Sequence, residues 1–184
     1  MLIVKRKVYN FKNLKIFIIP ATVIFLDQIT KYLVKKHMVL GESTNIFGNF
    51  LCFTYIENRG MAFGISTGNA TFFTVLSIIV TIFLFYYLYK IRGKRFLYRF
   101  PFFLILGGAI GNLIDRVLYN KVVDFIDVNI PDISIPSLNL FLFQIPKIEL
   151  HRWPIFNIAD SAITIGMIVL LIIIFSHKEF LEEK

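Results

Sequence analysis

The chain has 184 residues, of which 57% are hydrophobic, and its mean hydropathy is +0.70. A soluble domain of that length has too little interior to hide so much apolar side chain, so the bilayer is the expected solvent. The formal charge of +8 then reads as membrane topology rather than nucleic-acid binding, and a single cysteine, Cys52, excludes a disulfide framework and a cysteine-rich metal site.

A spanning helix needs about 20 mostly apolar residues, and four stretches meet that requirement, at about 14–34, 70–90, 98–119 and 156–176. The first follows a basic start (Lys5, Arg6, Lys7), as a signal peptide would. It is long, however, interrupted by Asp27 and Lys31, and followed by no small-x-small cleavage site, so a retained helix is expected. Asp27 and Lys31 are i,i+4 and share a face, the spacing of a buried structural pair. The loop at about 35–69 contains "NIFGNFLCFTYIENRG", which alternates like a strand pair around Gly48-Asn49. Cys52 lies in that run as a packing residue. Between the second and third helices stands a short basic link with Lys90, Arg92, Lys94, Arg95 and Arg99, whereas the two long loops are poorer in Lys and Arg for their length. This bias places both termini and the link in the cytoplasm and the loops at 35–69 and 120–155 outside.

The third helix carries Gly107, Gly108 and Gly111, a small-residue face for close helix packing, and then Asn112, Asp115 and Arg116 on one side. Those three suit a packing network or substrate positioning. If the helix continued, Asp124 would lie about 13 Å beyond Asp115, at ~1.5 Å per residue, in a different layer of one site. Asp127 is expected to be an exposed loop carboxylate. Four prolines between residues 127 and 156 rule out a further spanning helix, although "ISIPSLNLFLF" has strand character. In the fourth helix Asn157, Asp160, Ser161 and Thr164 share a face. On the inferred topology every ionisable intramembrane group falls toward the outer surface, and such groups mark functional sites. On its own helix Asp160 has no basic residue three or four positions away, and Asp124 has only Lys121, just past the expected end of the third helix. Two such carboxyls that meet can share a proton, in catalysis or in proton coupling. His37, His151 and His177 are isolated, so no metal site is expected.

The motifs "DQITK" (Asp27–Lys31), "NRGMAFGI" (Asn58–Ile65), "GGAIGNLIDR" (Gly107–Arg116), "VVDFID" (Val122–Asp127) and "FNIADSAITIG" (Phe156–Gly166) occur in this order. Together they resemble the bacterial lipoprotein signal peptidase (signal peptidase II) family. The resemblance thins in the N-terminal tail and between Val128 and Trp153. It implies an intramembrane aspartyl protease that removes signal peptides from diacylglyceryl-modified prolipoproteins at the bond before the lipidated cysteine. The catalytic pair would be Asp124 and Asp160. Asp27, Lys31, Asn58, Gly108, Asn112, Asp115, Arg116 and Asn157 would bind substrate or support the pair. The implied fold is an all-α membrane protein, one domain over residues 1–184. Its four transmembrane helices would carry a small extracytoplasmic β-sheet and a flap-like loop. The expected setting is the bacterial inner membrane, as a monomer among lipids, with prolipoprotein as substrate and neither cofactor, metal nor nucleic acid. The competing readings are a proton-coupled transporter and a protein whose polar cluster only joins helices. The first is disfavoured because the charges crowd one leaflet rather than the midplane.

Overall fold

The computed structural model describes residues 17–60, 70–130, 133–135, 137–140, 143–145, 148–150 and 152–176. Among them are four helices, α1 (Ile18–His37), α2 (Ala70–Lys90), α3 (Phe96–Tyr119) and α4 (Ile158–Ser176). The strands are β1 (Ser43–Phe47), β2 (Leu51–Asn58), β3 (Val122–Val128) and four short ones, β4 (Ile133–Ile135), β5 (Leu138–Leu140), β6 (Phe143–Ile145) and β7 (Ile148–Leu150). Residues 61–69 of the loop at 35–69 that is expected to carry the flap lie outside the described residues, as does the basic N-terminal tail.

α2, α3 and α4 are long and apolar enough to cross a membrane. α1, at 20 residues, is long enough but carries Asp27, Lys31, Lys35 and Lys36, and it falls outside that set. It runs three residues beyond its expected end at Val34.

α3 is the central helix and packs against the other three. Leu84, Leu88 and Ile91 of the α2 side meet Phe102, Phe103, Ile105 and Leu106 in one buried cluster. On its other flanks glycines let backbones approach. A Cβ on Gly107 would stand 2.8 Å from that of Val23, and one on Gly108 would overlap the Ala159 carbonyl oxygen of α4. The small-residue face is therefore a packing face, as expected.

α3 ends at Asn120, which adopts the left-handed conformation (φ 54°) while its N–H bonds to the Arg116 carbonyl at 3.0 Å. Asparagine tolerates that conformation better than a branched residue does. The chain then reverses into β3, whose Val122, Val123, Phe125, Ile126 and Val128 are strand formers. This corrects the extrapolated helix. Asp124 does not continue outward for 13 Å but folds back over the end of α3, where the Val123 N–H donates to Asp115 Oδ2 at 3.2 Å.

β3 completes an antiparallel sheet of order β1-β2-β3. The hairpin β1–β2 turns at Gly48 (φ +52°), in the run where alternation predicts a strand pair. The sheet sits on a second apolar cluster of Val34, Tyr55, Val123 and Phe125. β4 pairs with β7 and β5 with β6 as two separate ribbons, in keeping with the strand character of that stretch. Just before α4, Phe156 bridges Ile126: the Ile126 N–H donates to Phe156 O at 2.7 Å and the Phe156 N–H to Ile126 O at 3.1 Å. That bridge sets the start of α4 beside β3.

Candidate active site

The site lies where α1, α3, β3 and the N-terminus of α4 meet. Its base is a buried charge cluster. The Lys31 ammonium contacts Asp27 Oδ2 at 2.8 Å, Asp115 Oδ2 at 3.1 Å and Asn112 Oδ1 at 2.9 Å, so each of its three N–H donors has an acceptor. All four of these residues are buried. The Asp27–Lys31 pair is the buried pair that its spacing suggests. The partner of Asp115, however, is Lys31 on α1 rather than the adjacent Arg116. Gln28 completes the cluster by donating to Asp27 Oδ2 and to the Gly111 carbonyl, both at 3.1 Å. Residue-level reading passed over Gln28, although it stands inside the "DQITK" motif.

Above this base the N-terminus of α4 is doubly capped. Asn157 Oδ1 accepts from the Asp160 N–H at 2.9 Å while Asp160 Oδ2 accepts from the Asn157 N–H at 3.2 Å, a reciprocal capping box. Asp27 Oδ1 accepts the Ala159 N–H at 2.9 Å. Asp160 thus sits in the first turn of α4, the end of a helix that favours negative charge. Its Oδ1 also accepts from Asn112 Nδ2 at 2.8 Å. Because Asn112 presents its oxygen to Lys31, its amide group faces Asp160: the buried ammonium sets the orientation of the group that holds Asp160.

Asp124 comes from β3. Val122 pairs with Asn58 of β2, and Asp124, two residues on, falls on the same face. Asn58 Nδ2 donates to Asp124 Oδ2 at 3.0 Å and Asn157 Nδ2 to Asp124 Oδ1 at 2.7 Å. Asn157 therefore touches both aspartates, one through its backbone and one through its amide. The Asp124 carboxyl is pushed up to about 7, first by burial and then by the negative charge of Asp160, against the pull of the two asparagine hydrogen bonds.

Asp124, Asp160, Asn58, Asn112 and Arg116 line one cavity of about 400 Å³, walled by Val122, Trp153, Pro154, Ile155, Phe156, Ile163 and Ile165. Its mixture of apolar wall and a few convergent polar groups is that of a ligand site. Asn157 and Gly108 are not among its lining residues. Trp153 closes the stretch where family motifs are thin, and nothing in the sequence marks Trp153, Pro154 or Ile155 as part of the site.

Asp127 is not the exposed carboxylate expected. It is only 4% exposed. Three residues from Asp124, it falls on the opposite face of β3, where Thr54 Oγ1 donates to it at 2.7 Å and Arg152 Nε lies at 3.0 Å. Strand alternation, which the helix extrapolation hid, carries that distinction. Cys52 is buried, as a packing residue should be, and donates to Asn45 Oδ1 at 3.2 Å.

Three apolar helices of membrane-spanning length, two of which (α3 and α4) line a cavity that holds two aspartates, define a membrane-integral protein with the makings of an acid–base enzyme. The family model described as Peptidase A8, signal peptidase (SPase) II, matches residues 19–176. The lipoprotein signal peptidase of Halothermothrix orenii is 36% identical over 164 residues, 89% of this chain and 97% of that one. The lipoprotein signal peptidase of Staphylococcus aureus strain MRSA252 is 36% identical over 167 residues, 91% of each chain. A bacterial membrane enzyme solved in meso at 2.3 Å superposes with a TM-score of 0.72 at 37% identity, covering 92% of both chains. A second, solved at 1.9 Å, gives 0.70 at 37% identity over 89% of this chain and 94% of that one. The chain belongs to the signal peptidase II family of membrane proteases.

Proposed function

We propose that this protein cuts the signal peptide from diacylglyceryl-modified prolipoproteins, at the bond before the lipidated cysteine, by aspartyl activation of water. The reading is carried by one observation: two carboxyls from different elements, Asp124 and Asp160, are joined through Asn157 at the wall of one apolar cavity. Asp160, on the capped helix end, is the base, and Asp124, with its raised carboxyl, carries the proton. Asp160 takes a proton from water as the hydroxyl attacks the scissile carbonyl carbon, and Asp124 gives its proton to the carbonyl oxygen. As the C–N bond breaks, Asp160 protonates the leaving amine and the collapsing diol returns a proton to Asp124. The proton inventory closes on these two residues and water, with no covalent enzyme intermediate.

Asn58, Asn112 and Asn157 orient the pair, and Arg116, on the cavity wall, binds the substrate backbone. Asp27, Lys31 and Asp115 hold α1, α3 and α4 in register beneath it, and Gly108 lets α4 approach. All four helices span the membrane. α1 is polar on its buried side (Asp27, Lys31) and apolar outside, with Phe25 66% exposed and Leu26, Ile29 and Leu33 beside it. That inverted pattern suits a helix with lipid around it and a polar partner within. The setting is the bacterial inner membrane, with termini in the cytoplasm and the cavity near the outer surface. There a signal helix in the bilayer and an acylated cysteine in the outer leaflet bring the scissile bond.

The test incubates purified protein with a lipid-modified prolipoprotein and follows the shorter product on a gel. Loss of product with Asp124→Asn and with Asp160→Asn is expected. Near-normal cleavage by either folded variant would show the mechanism to be wrong.

A further inference from the structure

The cavity that holds the aspartates has a neighbour that the peptidase reading does not use. It measures about 460 Å³ and lies between the end of β2, Asp127 of β3 and the segment 152–155. Asn58, Trp153, Pro154 and Ile155 line both cavities. The two differ in what else they touch. The active-site cavity runs along the first turns of α4, past Ser161 and Ile163 to Ile165. The second is lined by no helix residue and takes four charged side chains instead, Glu57, Arg59, Asp127 and Arg152. One cavity thus follows an apolar helix of membrane-spanning length, and the other lies among charged residues of the sheet.

The charges of the second cavity do not cancel. Glu57 Oε2 has its cation in Lys121 Nζ at 2.7 Å, and Asp127 Oδ1 has Arg152 Nε at 3.0 Å. Arg59, an exposed side chain, adds a positive charge to a lining that is otherwise balanced. Arg152 belongs to the stretch where family motifs are thin, so that side of the cavity is set by this chain rather than by the shared motifs.

A prolipoprotein has an apolar signal helix on one side of the scissile bond and a polar chain on the other. Asn58, common to both cavities, donates to Asp124 Oδ2 at 3.0 Å. Three extended residues reach about 10 Å, so a chain that leaves the aspartates past Asn58 enters the second cavity within a few residues. We propose that this cavity binds the residues that follow the lipidated cysteine, and that Arg59 makes it favour acidic over basic side chains there. The inference rests on the peptidase reading and adds to it a selectivity on the mature side of the cut.

Purified full-length protein in neutral detergent is given three diacylglyceryl-modified peptides that share one signal sequence. One ends at the cysteine as an amide. The other two continue for five residues, serines with either two aspartates or two lysines. By kcat/KM the parent should prefer the aspartate peptide to the lysine peptide by about three- to tenfold, the size of one solvent-exposed charge contact exchanged for a like-charge one. The truncated peptide should have a higher KM than the aspartate peptide. Arg59→Glu should reverse the order of the two long peptides, and this ratio, taken within one sample, does not depend on how much of it is folded. Lys36→Glu, a charge reversal at an exposed position outside both cavities, should keep the parent's order. An unchanged order in Arg59→Glu, the same reversal in Lys36→Glu, or equal KM for the truncated peptide would overturn the proposal. A parent that cuts none of the three sinks the peptidase reading and the subsite with it, whereas equal cleavage of all three removes the subsite alone.

Discussion

Lys31 shows at the scale of one residue how the site is held. A buried ammonium is tolerated only when its charge and donors are matched, and here two carboxylates and an amide oxygen do so. Lys31→Met should leave Asp27 and Asp115 buried side by side without a cation, at a cost of about 3–5 kcal/mol, read as a lowered melting temperature in detergent. Asp124 should behave in the opposite way. Its carboxyl titrates at about 7 in the fold against 3.8 unfolded, so between those values the folded chain binds the extra proton and stability falls as pH rises. The whole change is no more than about 4 kcal/mol, at ~1.4 kcal/mol per unit. Asp124→Asn should lack this decline: melting temperatures from pH 4 to 8 should converge with the parent at the acid end and exceed it at the alkaline end. Cleavage by the same samples should fall at least about a hundredfold, and the double variant with Asp160→Asn should be little worse than either single one. In the parent, loss of the Asp124 proton gives the rate an alkaline limb near pH 7.

At the scale of elements, the approach of α3 to α4 decides whether Asp160 meets Asp124. Gly108→Ala places a methyl against the Ala159 carbonyl, backbone that cannot rotate away. The helices should part, costing about 1–3 kcal/mol and lowering the cleavage rate together with the melting temperature. The helices themselves were legible because long apolar runs have few alternatives in a bilayer. The β1–β2 hairpin was legible from its alternation and from Gly48. β3 was not, because "VVDFID" follows a helix directly and the reversal rests on one asparagine in a left-handed conformation. With β3 hidden, Asp127 read as exposed, although alternation alone separates it from Asp124.

For the whole molecule, the charge asymmetry of the loops predicts a single orientation. An impermeant thiol reagent applied from outside should label Asn45→Cys and Asn139→Cys and leave Gly93→Cys unlabelled. Labelling at Gly93 would invert the topology and move the cavity to the inner face.

The sequence by itself determined a membrane chain, the places of its helices and the residues that carry its family motifs. Hydropathy, charge bias and short motifs are local properties that survive without coordinates. It did not determine partners. Asp115 stands next to Arg116 in the chain, yet its cation is Lys31, 84 residues away. Asn157 reaches both aspartates only because the Phe156 bridge sets α4 against β3. Such pairings depend on how helices cross and where a chain reverses, and those are settled by close packing at Gly107, Gly108 and Gly111 and by the turn at Asn120. The tertiary structure decided that five motifs scattered over more than 130 residues become one cluster, because buried donors such as Lys31, Asn112 and Asn157 find acceptors on other elements.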